Sequence, residues 1–238
     1  MPDTHITKAF DRDLDAIQVR IMKMGGLVEA AILDSAKALK QRDEALADRV
    51  RDNDKAIDAL EEEVTVEASR LIALRQPAAT DLRMVLSVMK IAGNLERIGD
   101  YAKNIAKRTV ILAQMQPVEG AAGALRRMAK EVEQMLTDGL DAYLHQNLAL
   151  AEDVRARDHE VDQMYNALFR EFLTFMMEDA RNITACMHLH FIAKNIERMG
   201  DHVTSIAEQV IYLVTGALPE ETRVKVDYTA PIPEGGEN

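Results

Sequence analysis

Along the first forty or so residues, Phe10, Leu14, Ile17, Ile21, Met24, Val28, Ile32, Ser35 and Leu39 follow one another at steps of three and four. All but Ser35 are apolar. Such spacing returns to one face of a helix at every turn, so it predicts a single long amphipathic helix. Gly25-Gly26 interrupts the stripe and is expected to bend the helix or to admit a neighbouring backbone. The same test predicts a second helix over residues 43–75, through Leu46, Val50, Ile57, Leu60, Val64 and Leu71. A third runs from about Thr80, read as its N-cap, to about Met115. The scheme then returns over roughly 119–146, 148–178 and 182–215. Pro77 and Pro117 fall between segments, where a missing backbone N–H does no harm. Helices of this length greatly exceed the globular mean and predict an all-α bundle.

The second half repeats the first in residues as well as in period. NLERIGDYAKNIAKR at 94–108 returns as NIERMGDHVTSIAEQ at 195–209. Asn94, Glu96, Arg97, Gly99, Asp100, Ile105, Ala106 and Leu112 recur 101 positions later as Asn195, Glu197, Arg198, Gly200, Asp201, Ile206, Ala207 and Leu213. Upstream, Val50-Arg51, Asp54 and Asp58 recur 104 positions later as Val154-Arg155, Asp158 and Asp162. The change of offset predicts a shorter turn between the second and third helices of the second copy. Two homologous antiparallel three-helix bundles follow, residues 1–116 and 117–216, related by a pseudo-twofold repeat. Residues 217–238, with Pro, Gly and charge but no helical period, read as a flexible tail.

Composition narrows the function classes. The chain has 238 residues and is 47% hydrophobic, but only 4% aromatic with no Trp, so its core is aliphatic, with thirteen Met as gap-fillers. A net charge of −11 argues against nucleic-acid binding, which needs clustered Lys and Arg. No apolar run approaches the roughly 18 residues of a membrane span. The N-terminus lacks a signal-peptide core, and the single Cys186 sits in an apolar stretch as a buried, inert thiol. These features predict a reduced, cytoplasmic protein.

The repeat also doubles an acidic pattern. Asp54 and Asp58 stand one turn apart on the second helix, and Glu96 and Asp100 one turn apart on the third. The second unit has Asp158 and Asp162, then Glu197 and Asp201. Like charges at this spacing destabilise a helix by roughly 0.2–0.5 kcal/mol per pair, so four pairs call for compensation. Solvent and salt bridges to Arg51, Arg97, Lys103 and Arg198 would supply it on a plain acidic face. Bound cations would supply it otherwise, since oxygen-rich clusters suit iron, manganese, magnesium, calcium, or zinc. Gly99 and Gly200, each between Glu and Asp, leave room for ions or for a closely packed neighbour. An essential His ligand is not expected, because Tyr101 and Lys55 stand where the second unit has His202 and His159. His188 and His190 precede the second motif without matching any ligand spacing. No Glu lies three residues before any of the six histidines, which removes the di-iron carboxylate pattern. Phosphate-binding loops, nucleophile elbows and kinase signatures are absent from the sequence, and nothing argues for an enzyme.

Over residues 5 to about 215 the sequence resembles the PhoU family of bacterial phosphate-transport regulators. The resemblance rests on Arg20 to Gly26, on Ala73 to Pro77 followed by residues 81–83, and on the doubled acidic motifs. It implies two three-helix bundles with iron or zinc clusters on the motif carboxylates, and a homodimer. It also implies a negative regulator of the phosphate-starvation response, linking the ATPase of a phosphate ABC transporter to a sensor histidine kinase. Asn166 replaces Glu62, and Ser205 replaces Asn104, one turn beyond the acidic pairs, so the second cluster is expected to hold fewer ions. Competing readings are an ion buffer or weak phosphohydrolase on the same scaffold, and a helical bundle without ligands.

Overall fold

The structure, a computed structural model, describes residues 3–219, and side chains from residue 10 onward. Six helices follow one another: α1 (Asp3–Gln41), α2 (Glu44–Arg75), α3 (Thr80–Ala113), α4 (Ala121–His145), α5 (Leu148–Glu178) and α6 (Ile183–Thr215). No strand occurs among the described residues. The stripe predicted for α1 faces inward as a unit: Phe10, Ile17, Ile21, Met24, Val28, Ile32, Ser35 and Leu39 are buried, with Leu14 packed against them. All six apolar positions predicted for α2 are buried too. Burying an aliphatic side chain contributes roughly 1.5–3 kcal/mol, so these stripes, rather than helix propensity, hold the helices in place.

Turns repeat along with helices. Arg42 and Gln146, equivalent at the offset of 104, both adopt a left-handed backbone after α1 and α4, with φ of 56° and 50°. The next residue donates its N–H five positions back, Asp43 to Ala38 and Asn147 to Ala142, which closes each helix end. Asp43 and Asn147 then cap α2 and α5 by accepting from Leu46 N at 2.9 Å and Leu150 N at 3.2 Å. Arg42 adds something its twin lacks. Its Nη2 donates to the Leu112 and Ala113 carbonyls, both at 2.8 Å, and to Met115, covering the C-terminal end of α3.

Two sequence expectations give way here. Thr80 is the first residue of α3, and the cap position falls to Ala79, at φ 50° with no side-chain bond. The α2–α3 turn is also no longer than its counterpart: residues 76–79 span one, and residues 179–182, with a 3₁₀ turn at Ala180–Asn182, span the other. The offset is instead absorbed within the helices, by an earlier end to α5 and a later start to α6. Of the expected tail, 217–238, all but residues 217–219 lies outside the described residues.

Helices α1, α2 and α3 pack on one another, as do α4, α5 and α6. The units join through α3 on α6 and α1 on α4, whereas α2 and α5 do not touch. Gly25 explains the second contact. A Cβ there would collide with Leu140 Cδ1 of α4, so glycine admits a side chain, and α1 continues unbroken through it. Along the first contact Arg83 lies opposite Tyr212, Asn94 opposite His202 and Arg108 opposite His188. The sums of these numbers are nearly constant, so α3 and α6 run antiparallel. They cross at the two copies of the repeated motif.

Candidate metal centre

The apolar neighbours of the acidic residues fix where the carboxylates point. Ile57, Leu60, Leu95, Ile98, Val161, Ile196 and Met199 are all buried. They pin α2 against α3, and α5 against α6. Gly99 and Gly200 sit at those contacts. A Cβ on Gly99 would lie 3.0 Å from Ile57 Cδ1 and 3.5 Å from Asp54 Oδ1. On Gly200 it would lie 3.3 Å from Val161 Cγ1 and 3.8 Å from Asp158 Oδ1. Ile57 and Val161 differ by 104, as do Asp54 and Asp158. Each glycine therefore seats the same neighbour and brings the same aspartate against the helix backbone.

In the first unit the four predicted acids share one region. Asp54 is only 2% exposed, and its Oδ1 has no hydrogen-bond partner. The Asp58 carboxyl is pushed above its usual range by burial, then by the charges of Asp54 and Asp100, against the pull of Lys103. Glu96 is raised by burial, then by Asp100, with Asp58 adding to it and Arg97 opposing. The cluster is therefore under mutual repulsion, only partly relieved. Lys103 Nζ bonds Asp54 Oδ2 and lies 3.6 Å from Asp100, and its own pKa is raised by the Asp54 bond. Arg97 lies 3.5 Å from Glu96 and 3.7 Å from Asp100. Arg51 turns away to Asp48 at 2.8 Å.

The second unit keeps the acids but changes the partners. Thr204 stands where the first unit has Lys103, and its Oγ1 lies 3.1 Å from Asp158 Oδ1 and 3.0 Å from the Gly200 carbonyl. Its one proton serves one of these at a time. Glu197, 7% exposed, is held by Lys194 at 2.8 Å. Lys103 and Lys194 are thus unrelated by the repeat, and each cluster recruits its lysine from a different place. Thr204 was not singled out in sequence; the signal was a non-identical pair three residues after Asp100 and Asp201.

The donor set fits a hard or intermediate cation: all oxygen, anionic, repelling one another, with one buried Asp54 oxygen unpartnered. In the positions shown, no three His, Cys, Asp or Glu side chains among the described residues converge on one point. Loading would therefore require Lys103 to withdraw and the half-exposed carboxylates to turn inward. Burial and nearby cations hold His188, His190 and His202 below the usual histidine range, although Asp201 pulls His202 the other way. Cys186 is fully buried, and burial raises its thiol pKa, as expected for an inert side chain.

The doubled three-helix unit has a counterpart among known proteins. The sequence profile of the PhoU domain matches residues 21–109 and again 125–210. The chain belongs to the PhoU family. It is 44% identical over 232 residues to a phosphate-specific transport system accessory protein PhoU homolog of Rhizobium meliloti, covering 98% of each chain. It is 45% identical over 223 residues to a homolog of the same name in Caulobacter vibrioides, covering 94% of this chain and 97% of that one. The crystal structure of PhoU from Pseudomonas aeruginosa superposes with a TM-score of 0.85 at 38% identity, over 87% of this chain and all of that one. The phosphate transport system regulatory protein PhoU from Streptococcus pneumoniae gives 0.82 at 31%, over 89% and 99%. Both profile matches enclose an acidic motif and its glycine, so the family's repeat and the site's repeat coincide. No described helix is long and apolar enough to cross a membrane.

Proposed function

We propose that the chain is an accessory of a bacterial phosphate-specific transport system that acts as a regulator rather than an enzyme. In this reading it is a cytoplasmic homodimer. It contacts the ATPase subunit of a phosphate ABC transporter and a phosphate-sensing histidine kinase, and it keeps the kinase from activating its response regulator when phosphate is plentiful. The observation that carries it is the end-to-end match, through both units, to relatives named as accessory proteins of phosphate transport. Iron or zinc on Asp54, Asp58, Glu96 and Asp100, and on Asp158, Asp162, Glu197 and Asp201, would neutralise the repulsion within each cluster and tie α2 to α3 and α5 to α6. The unpartnered Asp54 oxygen and the raised Asp58 and Glu96 carboxyls support that role.

The test is a chromosomal deletion in the bacterium that carries the gene, grown in excess phosphate. Expected are high alkaline phosphatase and high transporter expression, both returned to the repressed level by the intact chain. Normal repression in the deletion strain would overturn the regulatory reading. Phosphate release from phosphorylated substrates by the purified protein, abolished by Glu96→Ala with Asp100→Ala, would replace it with the phosphohydrolase reading.

A further inference from the structure

The repeat that makes the two acidic clusters alike is broken at one end of the α3–α6 pair. A groove of about 580 Å³ lies there, lined by Asn104, Lys107, Arg108 and Ile111 of α3 and by His190, Phe191, Lys194, Asn195 and Arg198 of α6. It holds four cations and no carboxylate, on a chain whose net charge is −11. Shifting each lining residue by 101 gives its twin at the other end of the antiparallel α3–α6 pair. There Lys107 becomes Glu208, Arg108 becomes Gln209, and Lys194 becomes Gly93. The twin Glu208 is paired with Arg155 at 3.4 Å. Three of the four cations are therefore peculiar to this groove and are not demanded by the helix contact, which its twin shares; the fourth, Arg198, has a cationic equivalent.

Arg198 carries the argument further. Its equivalent, Arg97, pairs with Glu96 and Asp100 of its own motif. Arg198 lines the groove and pairs with no carboxylate among the described residues. Arg108 is fixed in place: it donates to His188 Nδ1 at 3.1 Å and lies 4.3 Å over the Phe191 ring. Phe191 and Ile111 remain 45% and 44% exposed beside these charges. Arginine and aromatic anchors beside exposed aliphatic surface are the composition of an interface centre. An open groove of mixed polar and apolar lining is unlike the enclosed apolar pockets that bury small ligands.

We infer that the α3–α6 groove is a docking site for an acidic segment of a partner protein, with Asp or Glu side chains over Lys107 and Arg198 and an apolar side chain on Phe191 and Ile111, while Lys194 stays paired with Glu197. At physiological ionic strength the Debye length is about 8 Å, so the groove's own charges outweigh the distant acidic surface for a ligand seated in it. This inference rests on the adaptor reading of the chain, but the following test reads binding alone and does not depend on repression or on metal.

The probe is a short fluorescein-labelled peptide with Asp and Glu on both sides of a Leu-Phe pair, titrated with the full chain and followed by fluorescence anisotropy. Comparison peptides replace Leu-Phe by Ser-Ser, or the acids by Lys. Saturable binding of the first peptide is expected, weakened by Ser-Ser and lost with Lys. Lys107→Glu with Arg198→Glu should weaken it at least about tenfold, with circular dichroism and melting temperature unchanged. Lys107→Glu introduces the residue type that the equivalent position, Glu208, already carries, so the fold should tolerate it. If the double variant melts early, Lys107→Ser with Arg198→Ser replaces it, and an unchanged affinity there overturns the proposal. Equal binding by the parent and a well-folded variant, or no binding of the acidic peptide, overturns it as well. Tripolyphosphate binding in the groove without peptide binding would reassign the site to a small polyanion.

Discussion

Asp58 and Glu96 show how single side chains register the cluster. Both have folded-state pKa values raised above the ordinary carboxyl range, first by burial and then by neighbouring acids. A carboxyl so raised contributes its full stability below its unfolded pKa, about 4, and loses it as pH rises through the folded value. At neutral pH both groups therefore oppose folding of the metal-free protein. Asp58→Asn should raise the melting temperature of chelator-treated protein at neutral pH, and the gain should shrink to nothing as pH falls toward 4. With a cation bound the sign reverses, because the substitution removes a donor. A gain that persists unchanged at low pH would trace the effect to something other than charge. Lys103 makes the complementary case. Lys103→Ala leaves the buried Asp54 carboxylate without its counter-charge, and a loss of about 1–3 kcal/mol in denaturant melts is expected.

At the scale of the helices, two adjacent glycines should respond in opposite directions. Gly26 is exposed, with nothing within 4 Å of where a Cβ would stand. Gly26→Ala gains helix propensity and should stabilise by about 0.5–1 kcal/mol. Gly25 faces Leu140 across the α1–α4 crossing. Gly25→Ala overpacks that contact and should cost about 1–3 kcal/mol. Urea melts of both variants at one pH decide it; gains in both would mean that Leu140 moves aside freely. The pair also shows what was legible in sequence. The six helices could be read because every step of three or four marks the buried face, and burial decides long helices. The role of Gly25 could not be read, because the partner that requires it lies 115 positions away on another element. The cap of α3 was misread for a related reason: Thr80 has suitable chemistry, but the turn holding Pro77 hands the chain over at Ala79. Asp43 and Asn147 behave as their residue type suggests, and replacing either by Ala should cost about 1 kcal/mol.

The whole molecule is two nearly equal halves set back to back on α3 and α6, and this arrangement decides whether its acidic clusters act singly. Helices α2 and α5 do not touch, so Asp54 with Asp58 and Asp158 with Asp162 stand on helices that make no contact with one another. The doubled acidic pattern was legible in sequence because identical residues return at fixed offsets. Its unequal counter-charges were not, because Lys103 and Thr204 differ, and only the structure shows both reaching the equivalent aspartate. Separate sites usually behave independently, so Glu96→Ala with Asp100→Ala should empty the first cluster and spare the second. Glu197→Ala with Asp201→Ala should do the converse. Lys103→Thr should act in the other direction: it gives the first unit the hydroxyl partner of the second, frees Asp54 Oδ2, and should raise iron or zinc uptake at the first cluster. Metal per chain, measured on untagged parent and all three variants with circular dichroism as the folding control, reads the outcome. Loss of all metal in either double variant would mean one shared site, coupled through the 2.7 Å Asn94–His202 bond at the crossing. Unchanged content in every variant would leave the acids as a solvated edge and Gly99 and Gly200 as contact points for Ile57 and Val161. The Lys103→Thr result separates the remaining cases, since a salt bridge with no competing cation predicts a less stable protein and no added metal.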